Sequence, residues 1–315
     1  MSSTAFLFPG QGSQAVGMAQ ALAEVFESAR DAMAEADEVL GFSLSTLCFT
    51  GPQEALTDTI NAQPALLASS IATLRAIQEV TPAMAAPAAV AGHSLGEYSA
   101  LVAAESLSYA DALRLVRERG RLMKEAGKRN RGGMAAVLGL DMATMEDVCE
   151  SARIATDGVV QVANDNCPGQ VVVSGDMPSL ERAMALAEAA GARKVVRLAV
   201  SIAAHSPLMA PAAEALRVAV ENTSIDDARI PVVSNVYARP IDQADAIRED
   251  LVEQLTSPVL WADSMRTLVE SDIDIVIEIG SGDVLSKLMR RIDRSVSRLS
   301  VGTPEDIEKL SALST

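Results

Sequence analysis

The chain opens on a short apolar run, Thr4 to Phe8, which stops at Pro9-Gly10-Gln11-Gly12. Such a run followed by turn formers predicts a buried strand that turns into a helix near Met18. Helical spacing then fills most of Ala15 to Glu79. A second apolar run, Ala88 to Ala91, predicts another buried strand, with a helix from about Glu97. Alternation of this kind predicts an α/β fold built on a parallel sheet with crossover helices. Between about Gly132 and Val200 the order changes to strand (Met134 to Leu138), helix (Met142 to Ala155), two strands (Val159 to Ala163 and Gln170 to Ser174), helix (Pro178 to Ala190) and strand (Lys194 to Leu198). This βαββαβ order predicts an inserted ferredoxin-like unit, a four-stranded antiparallel sheet with two helices on one face. Ile230 to Ser234 and Ile273 to Ile279 then read as strands of the main sheet, with Ala262 to Ser271 helical between them. The predicted division is a core of residues 1–131 and 200–315 and a subdomain of residues 132–199.

Composition removes several function classes. A chain of 315 residues with 49% apolar content can bury a large core. No stretch approaches the roughly 20 apolar residues of a membrane span, and Ser2 leads into Phe6-Leu7-Phe8-Pro9 without a basic targeting segment, so a cytoplasmic protein is expected. The net charge of −16 argues against nucleic acid and anionic lipid as partners. The three cysteines, Cys48, Cys149 and Cys167, lack metal-knuckle or redox spacing and are expected to be reduced and structural.

Gly92-His93-Ser94-Leu95-Gly96 matches the Gly-x-Ser-x-Gly nucleophile elbow, and it sits where that motif belongs, between a predicted strand and a helix. It makes the core hydrolase-like and Ser94 the candidate nucleophile. A plain Gly/Ser turn starting a helix is the competing interpretation. A serine needs a base, and the chain holds only two histidines. His93 adjoins Ser94 on the turn, where its ring would not point at the neighbouring hydroxyl, so His205 is the candidate base. Two histidines that far apart, with no cysteine cluster, offer no metal site.

A helical wheel over Ala112 to Lys124 places Ala112, Leu113, Leu115, Val116, Gly120, Leu122 and Met123 on one arc and Arg114, Arg117, Glu118, Arg121 and Lys124 on the other. Arg119 falls within the apolar arc, where a guanidinium requires an anionic partner. Two partners are open at this point: an internal Asp or Glu, or a substrate carboxylate gripped by the planar fork of the arginine.

These segments, with Phe8-Pro9-Gly10-Gln11-Gly12-Ser13-Gln14, Gln63-Pro64-Ala65, Pro168-Gly169-Gln170-Val171 and Gln254-Leu255-Thr256-Ser257-Pro258-Val259, resemble the malonyl-CoA:acyl carrier protein transacylase family over nearly the whole chain. The resemblance implies Ser94 as nucleophile, His205 as base, Arg119 as clamp on the malonyl carboxylate, and the backbone amides of Gln11 and Leu95 as oxyanion hole. It further implies that the Gln254 carbonyl orients His205, and that His93, Asn164 and Asn166 line the cleft. The expected partners are malonyl-CoA and an acyl carrier protein, with no cofactor. The sequence departs from the family pattern at Cys167 and at Gly280-Ser281-Gly282-Asp283. For an acidic carrier, two basic stretches are candidate docking faces: Lys124, Lys128, Arg129 and Arg131, and Lys287, Arg290, Arg291 and Arg294. A serine thioester hydrolase, a carrier-binding module with a relic site, and a malonyl transferase of polyketide or malonate metabolism are the alternatives. Methylmalonyl is not separated from malonyl, because one methyl in an apolar pocket is worth only about 1 to 3 kcal/mol.

Overall fold

The apolar runs become strands of two separate sheets in a computed structural model that describes residues 3–82, 86–200 and 202–313. Ser201, the first residue of the stretch that carries His205, lies outside the described residues. Taken in chain order the strands are β1 (Thr4–Phe8), β2 (Ala89–Gly92), β3 (Gly132–Leu138), β4 (Val160–Cys167), β5 (Gln170–Asp176), β6 (Lys194–Arg197), β7 (Val232–Val233), β8 (Pro240–Ile241), β9 (Ile275–Ile279) and β10 (Ser297–Val301). The main sheet has the order β10-β9-β1-β2-β7-β8, parallel throughout except for the antiparallel edge pair β7 and β8.

Side chains alternate across a strand, so a strand covered on both faces must be apolar at every position. β1 meets that requirement. Phe6 and Phe8 enter a core formed with the helices Glu27–Leu40, Thr59–Val80, Gly96–Ala103 and Tyr109–Arg129. Ala5 and Leu7 face the opposite core, where Trp261, Met265, Leu285 and Met289 pack. β1 and β2, at the centre of the sheet, therefore deliver two chain reversals to one edge: the Pro9–Gly12 turn and the Gly92–Gly96 turn.

The second sheet has the order β4-β5-β3-β6 and is antiparallel. Its two helices, Met142–Thr156 and Met177–Ala189, cover one face through Met145, Val148, Leu180 and Ala183. Met134, Ala163 and Val172 occupy the other face, with Leu198 and Ala204 against them. That face looks onto the main domain. The two units are also joined by backbone: the Val259 amide donates to the Ala163 carbonyl at 2.8 Å, and the Asp165 amide to the Val259 carbonyl at 3.0 Å.

Candidate active site

The turn after β2 is forced by its two glycines. A Cβ on Gly92 would fall on the Gly96 carbonyl, and one on Gly96 would fall on the Phe8 carbonyl of the neighbouring strand. Only glycine lets strand and helix approach so closely. Ser94 between them takes a left-handed backbone, φ 51°, a conformation that a non-glycine residue holds only when its surroundings compensate. Asn235, just after β7, supplies the compensation. Its Oδ1 accepts the Ser94 amide at 2.7 Å and its Nδ2 donates to the Gly92 carbonyl at 2.7 Å.

The hydroxyl so presented lies 2.9 Å from His205 Nε2. His205 Nδ1 is 2.7 Å from the Gln254 carbonyl, which can only accept, so that bond fixes the proton on Nδ1 and leaves Nε2 with its lone pair toward Ser94. His205 also has a left-handed backbone, φ 58°. Gln161 of β4 holds it from behind, donating Nε2 to both the His205 and Thr256 carbonyls. Burial, reinforced by the positive charge of Arg119, pushes the imidazole down from 6.5 to about 3. The ring is therefore neutral at physiological pH.

Arg119 is 2% exposed, as the wheel requires, but it has no Asp or Glu ion-pair partner among the described residues. Of the two partners the sequence left open, no internal acid pairs with it among the described residues, and neutral oxygens surround it instead. Nη1 donates to Gln63 Oε1 at 3.0 Å, while Nη2 donates to Gln254 Oε1 at 2.9 Å and to Ser94 Oγ at 3.2 Å. The guanidinium carbon stands 5.8 Å from the centre of the Tyr98 ring, and Nε is buried without a partner among the described residues. A buried cation held only by dipoles is electrostatically undersatisfied and favours an anion beside it.

Ser94, His205 and Arg119 line a cavity of about 710 Å³ between the two sheets. Gln11 and Leu95 also line it, and neither backbone amide donates to another group among the described residues. His93 points away from Ser94: its Nε2 meets Asn166 Oδ1 at 2.9 Å and its ring lies against Trp261. Asn164 and Asn166, both on β4, line the same cavity.

A layer of polar residues beneath the site escaped sequence reasoning. Glu97 accepts from the Asn235 amide at 3.0 Å and from Gln254 Nε2, and it hydrogen-bonds Asp250, which in turn accepts from Ser234. Burial and then the charge of Asp250 raise Glu97 well above the usual carboxylate range, and burial pushes Asp250 up to about 6. Two hydrogen-bonded acids so enclosed retain a proton between them.

The profile described as acyl transferase domain matches residues 5–303. The malonyl CoA-acyl carrier protein transacylase of Bacillus subtilis (strain 168) is 46% identical over 311 residues, covering 98% of this chain and 96% of that protein. This chain belongs to the malonyl-CoA:acyl carrier protein transacylase family. Among solved structures, the Coxiella burnetii malonyl CoA-acyl carrier protein transacylase superimposes with a TM-score of 0.95 at 38% identity, covering 99% of this chain and 97% of that one. A type II PKS acyl-carrier protein in complex with its malonyl-transacylase gives a TM-score of 0.95 at 40% identity, covering 99% and 100%.

Within this transacylase-family chain the two departures have plain surroundings. Cys167 is buried among the core residues near Trp261 and is not part of the cavity wall. Asp283 forms an ion pair at 2.7 Å with Lys287 one turn along its helix. Of the basic stretches, Lys124 pairs with Asp58, and Arg291 donates to Gln170 Oε1 and the Pro168 carbonyl. Lys128 stands in the cavity wall. No helix among the described residues is long and apolar enough to cross a membrane.

Proposed function

We propose that this protein transfers malonyl from malonyl-CoA to the phosphopantetheine thiol of an acyl carrier protein through an acyl-Ser94 intermediate, supplying extender units for fatty acid synthesis. The observation that carries this reading is Arg119: a buried guanidinium with no acidic partner among the described residues, 3.2 Å from the Ser94 hydroxyl. In malonyl a single methylene separates carboxylate from thioester carbonyl, so a carboxylate gripped by Arg119 puts the reacting carbon at Ser94.

The geometry supports the following steps. Ser94 Oγ attacks the thioester carbon while Nε2 of His205 takes its proton, and the Gln11 and Leu95 amides receive the oxyanion, each such donor being worth about 3 kcal/mol. The C–S bond breaks, and the proton on Nε2 goes to the departing CoA thiolate. The carrier thiol then loses its proton to Nε2 and attacks the ester. Collapse of that second tetrahedral intermediate returns the proton to Ser94. His93, Asn164 and Asn166 shape the wall along which the thioester lies. Acyl exchange changes no oxidation state, and on this reading neither cofactor nor metal takes part. A serine hydrolase would place an acid on His205 Nδ1; the Gln254 carbonyl occupies that position.

The likeness to a transacylase complexed with an acyl carrier protein supports the carrier as acceptor. The strand order β4-β5-β3-β6 supports the ferredoxin-like reading of residues 132–199, and the glycine-flanked serine supports a hydrolase-like core of residues 1–131 and 200–315. The proposed location is the cytoplasm, where malonyl-CoA and carrier meet. Initial rates with both substrates varied are expected to give parallel double-reciprocal lines, abolished in Ser94→Ala. Intersecting lines, or turnover surviving in that variant, would contradict the acyl-enzyme.

A further inference from the structure

The cavity wall contains a directed chain of hydrogen bonds that the reaction as derived above does not use. Arg119 Nη1 donates to Gln63 Oε1 at 3.0 Å, Gln63 Nε2 donates to Thr59 Oγ1 at 3.2 Å, and Thr59 Oγ1 donates to Gln11 Oε1 at 2.9 Å. Every donor points the same way, from the guanidinium toward the loop, the arrangement in which each bond polarises and strengthens the next. Gln63 is fully buried and Thr59 is 6% exposed, so water does not compete along the middle of the chain.

Gln11 is the exposed end. It lies in the turn after β1, and its bond to Thr59 is its only side-chain hydrogen bond among the described residues. The rest of that turn is held by the Ser13 amide on the Gly10 carbonyl, the Gly12 amide on Gln14 Oε1 and Ser281 Oγ on the Ser13 carbonyl. None of these fixes Gln11 relative to Arg119. Thr59 and Gln63, one turn apart on the first two turns of the helix Thr59–Val80, make that connection.

We infer that Thr59 and Gln63 are positioning residues that couple the carboxylate clamp to the oxyanion loop. A carboxylate drawn to Arg119 holds the guanidinium in one place, which fixes the Gln63 amide, the Thr59 hydroxyl and the Gln11 side chain in turn. The Gln11 amide is then set for the oxyanion. An acyl group lacking the carboxylate leaves Arg119 held only by the neutral oxygens of Gln63, Gln254 and Ser94, and the loop less firmly placed. Selectivity for a dicarboxylic acyl group would thus arise in the rate of acylation as well as in binding. This inference rests on the malonyl-transfer reading.

The test is Thr59→Val, which keeps shape and removes the hydroxyl, beside Thr59→Ser, which restores it. Single-turnover acylation of Ser94 is followed by intact-protein mass spectrometry at saturating malonyl-CoA and, separately, acetyl-CoA. Loss of one uncharged hydrogen bond in the chain predicts about a tenfold slower malonyl step in the valine variant. The acetyl step should change less than twofold, and the serine variant should recover the malonyl rate. Equal losses for both acyl groups would mean a structural role only and would overturn the coupling, as would no loss for either. Wild-type protein that takes acetyl as fast as malonyl would overturn the malonyl reading itself, and the coupling with it.

Discussion

At the residue scale the site is a set of local rules broken together: two left-handed non-glycine residues, a buried cation with no acid paired to it among the described residues, and two buried carboxyls sharing a proton. Its histidines give a clean readout because the chain has no others. Burial lowers both His93 and His205. An NMR titration of the imidazoles should show neither titrating near 6.5 in the folded protein, and Arg119→Gln should move His205 upward by removing a neighbouring positive charge. The stability sign follows. Between 6.5 and about 3 the unfolded chain binds a proton at His205 that the folded one does not, so stability from this residue falls as pH drops through that window. A His205 titrating at 6.5 would contradict the burial. Ser94, His205 and Arg119 were legible in the sequence because each is an exception within a strong pattern: a glycine-flanked serine, one of two histidines, and a cation on an apolar arc. Asn235 and Gln161 were not, since a lone amide after a strand carries no periodic signature. Asp250 was within reach. It shares the buried side of the helix Ala244–Glu253 with Ile247 and Leu251, the same kind of anomaly that exposed Arg119.

At the scale of elements, alternation of buried strands and helices was readable, and so was the βαββαβ order, whose boundaries fall within a few residues of those observed. The stretch Ile230 to Ser234 is shorter than its composition suggests: only Val232 and Val233 pair as strand. The polar residues that follow are diverted to the site, Ser234 to Asp250 and Asn235 to the elbow. The edge strand β10, Ser-Arg-Leu-Ser-Val, gave no signal because three of its five positions are polar. The strand-turn-helix elbow depends on Gly96, whose Cβ would strike the β1 backbone. Gly96→Ala should destabilise the fold by roughly 3 kcal/mol or more, read as a lowered midpoint in urea with an unchanged slope. A midpoint within error of wild type would show that the close approach is dispensable.

At the scale of the whole molecule, a chain of net charge −16 can receive an acidic carrier only through a local basic face. Lys128 and Arg131, exposed and free of ion pairs among the described residues, stand beside the cavity mouth. Reversing both to glutamate should slow discharge of the acyl-enzyme by the carrier about tenfold at low salt, with the difference shrinking as salt rises. An unchanged discharge rate would exclude that face. The central claim, that the two sheets enclose a site in which Arg119 selects a carboxylate for transfer through Ser94, is tested most directly by one measurement. Intact-protein mass spectrometry with peptide mapping is run after brief mixing with malonyl-CoA or acetyl-CoA, followed by addition of holo carrier. The account predicts a malonyl adduct on Ser94 that forms far faster than the acetyl one and is cleared by the carrier thiol, not by water. No adduct on Ser94, equal rates for the two acyl groups, or clearance by water as fast as by carrier would contradict it.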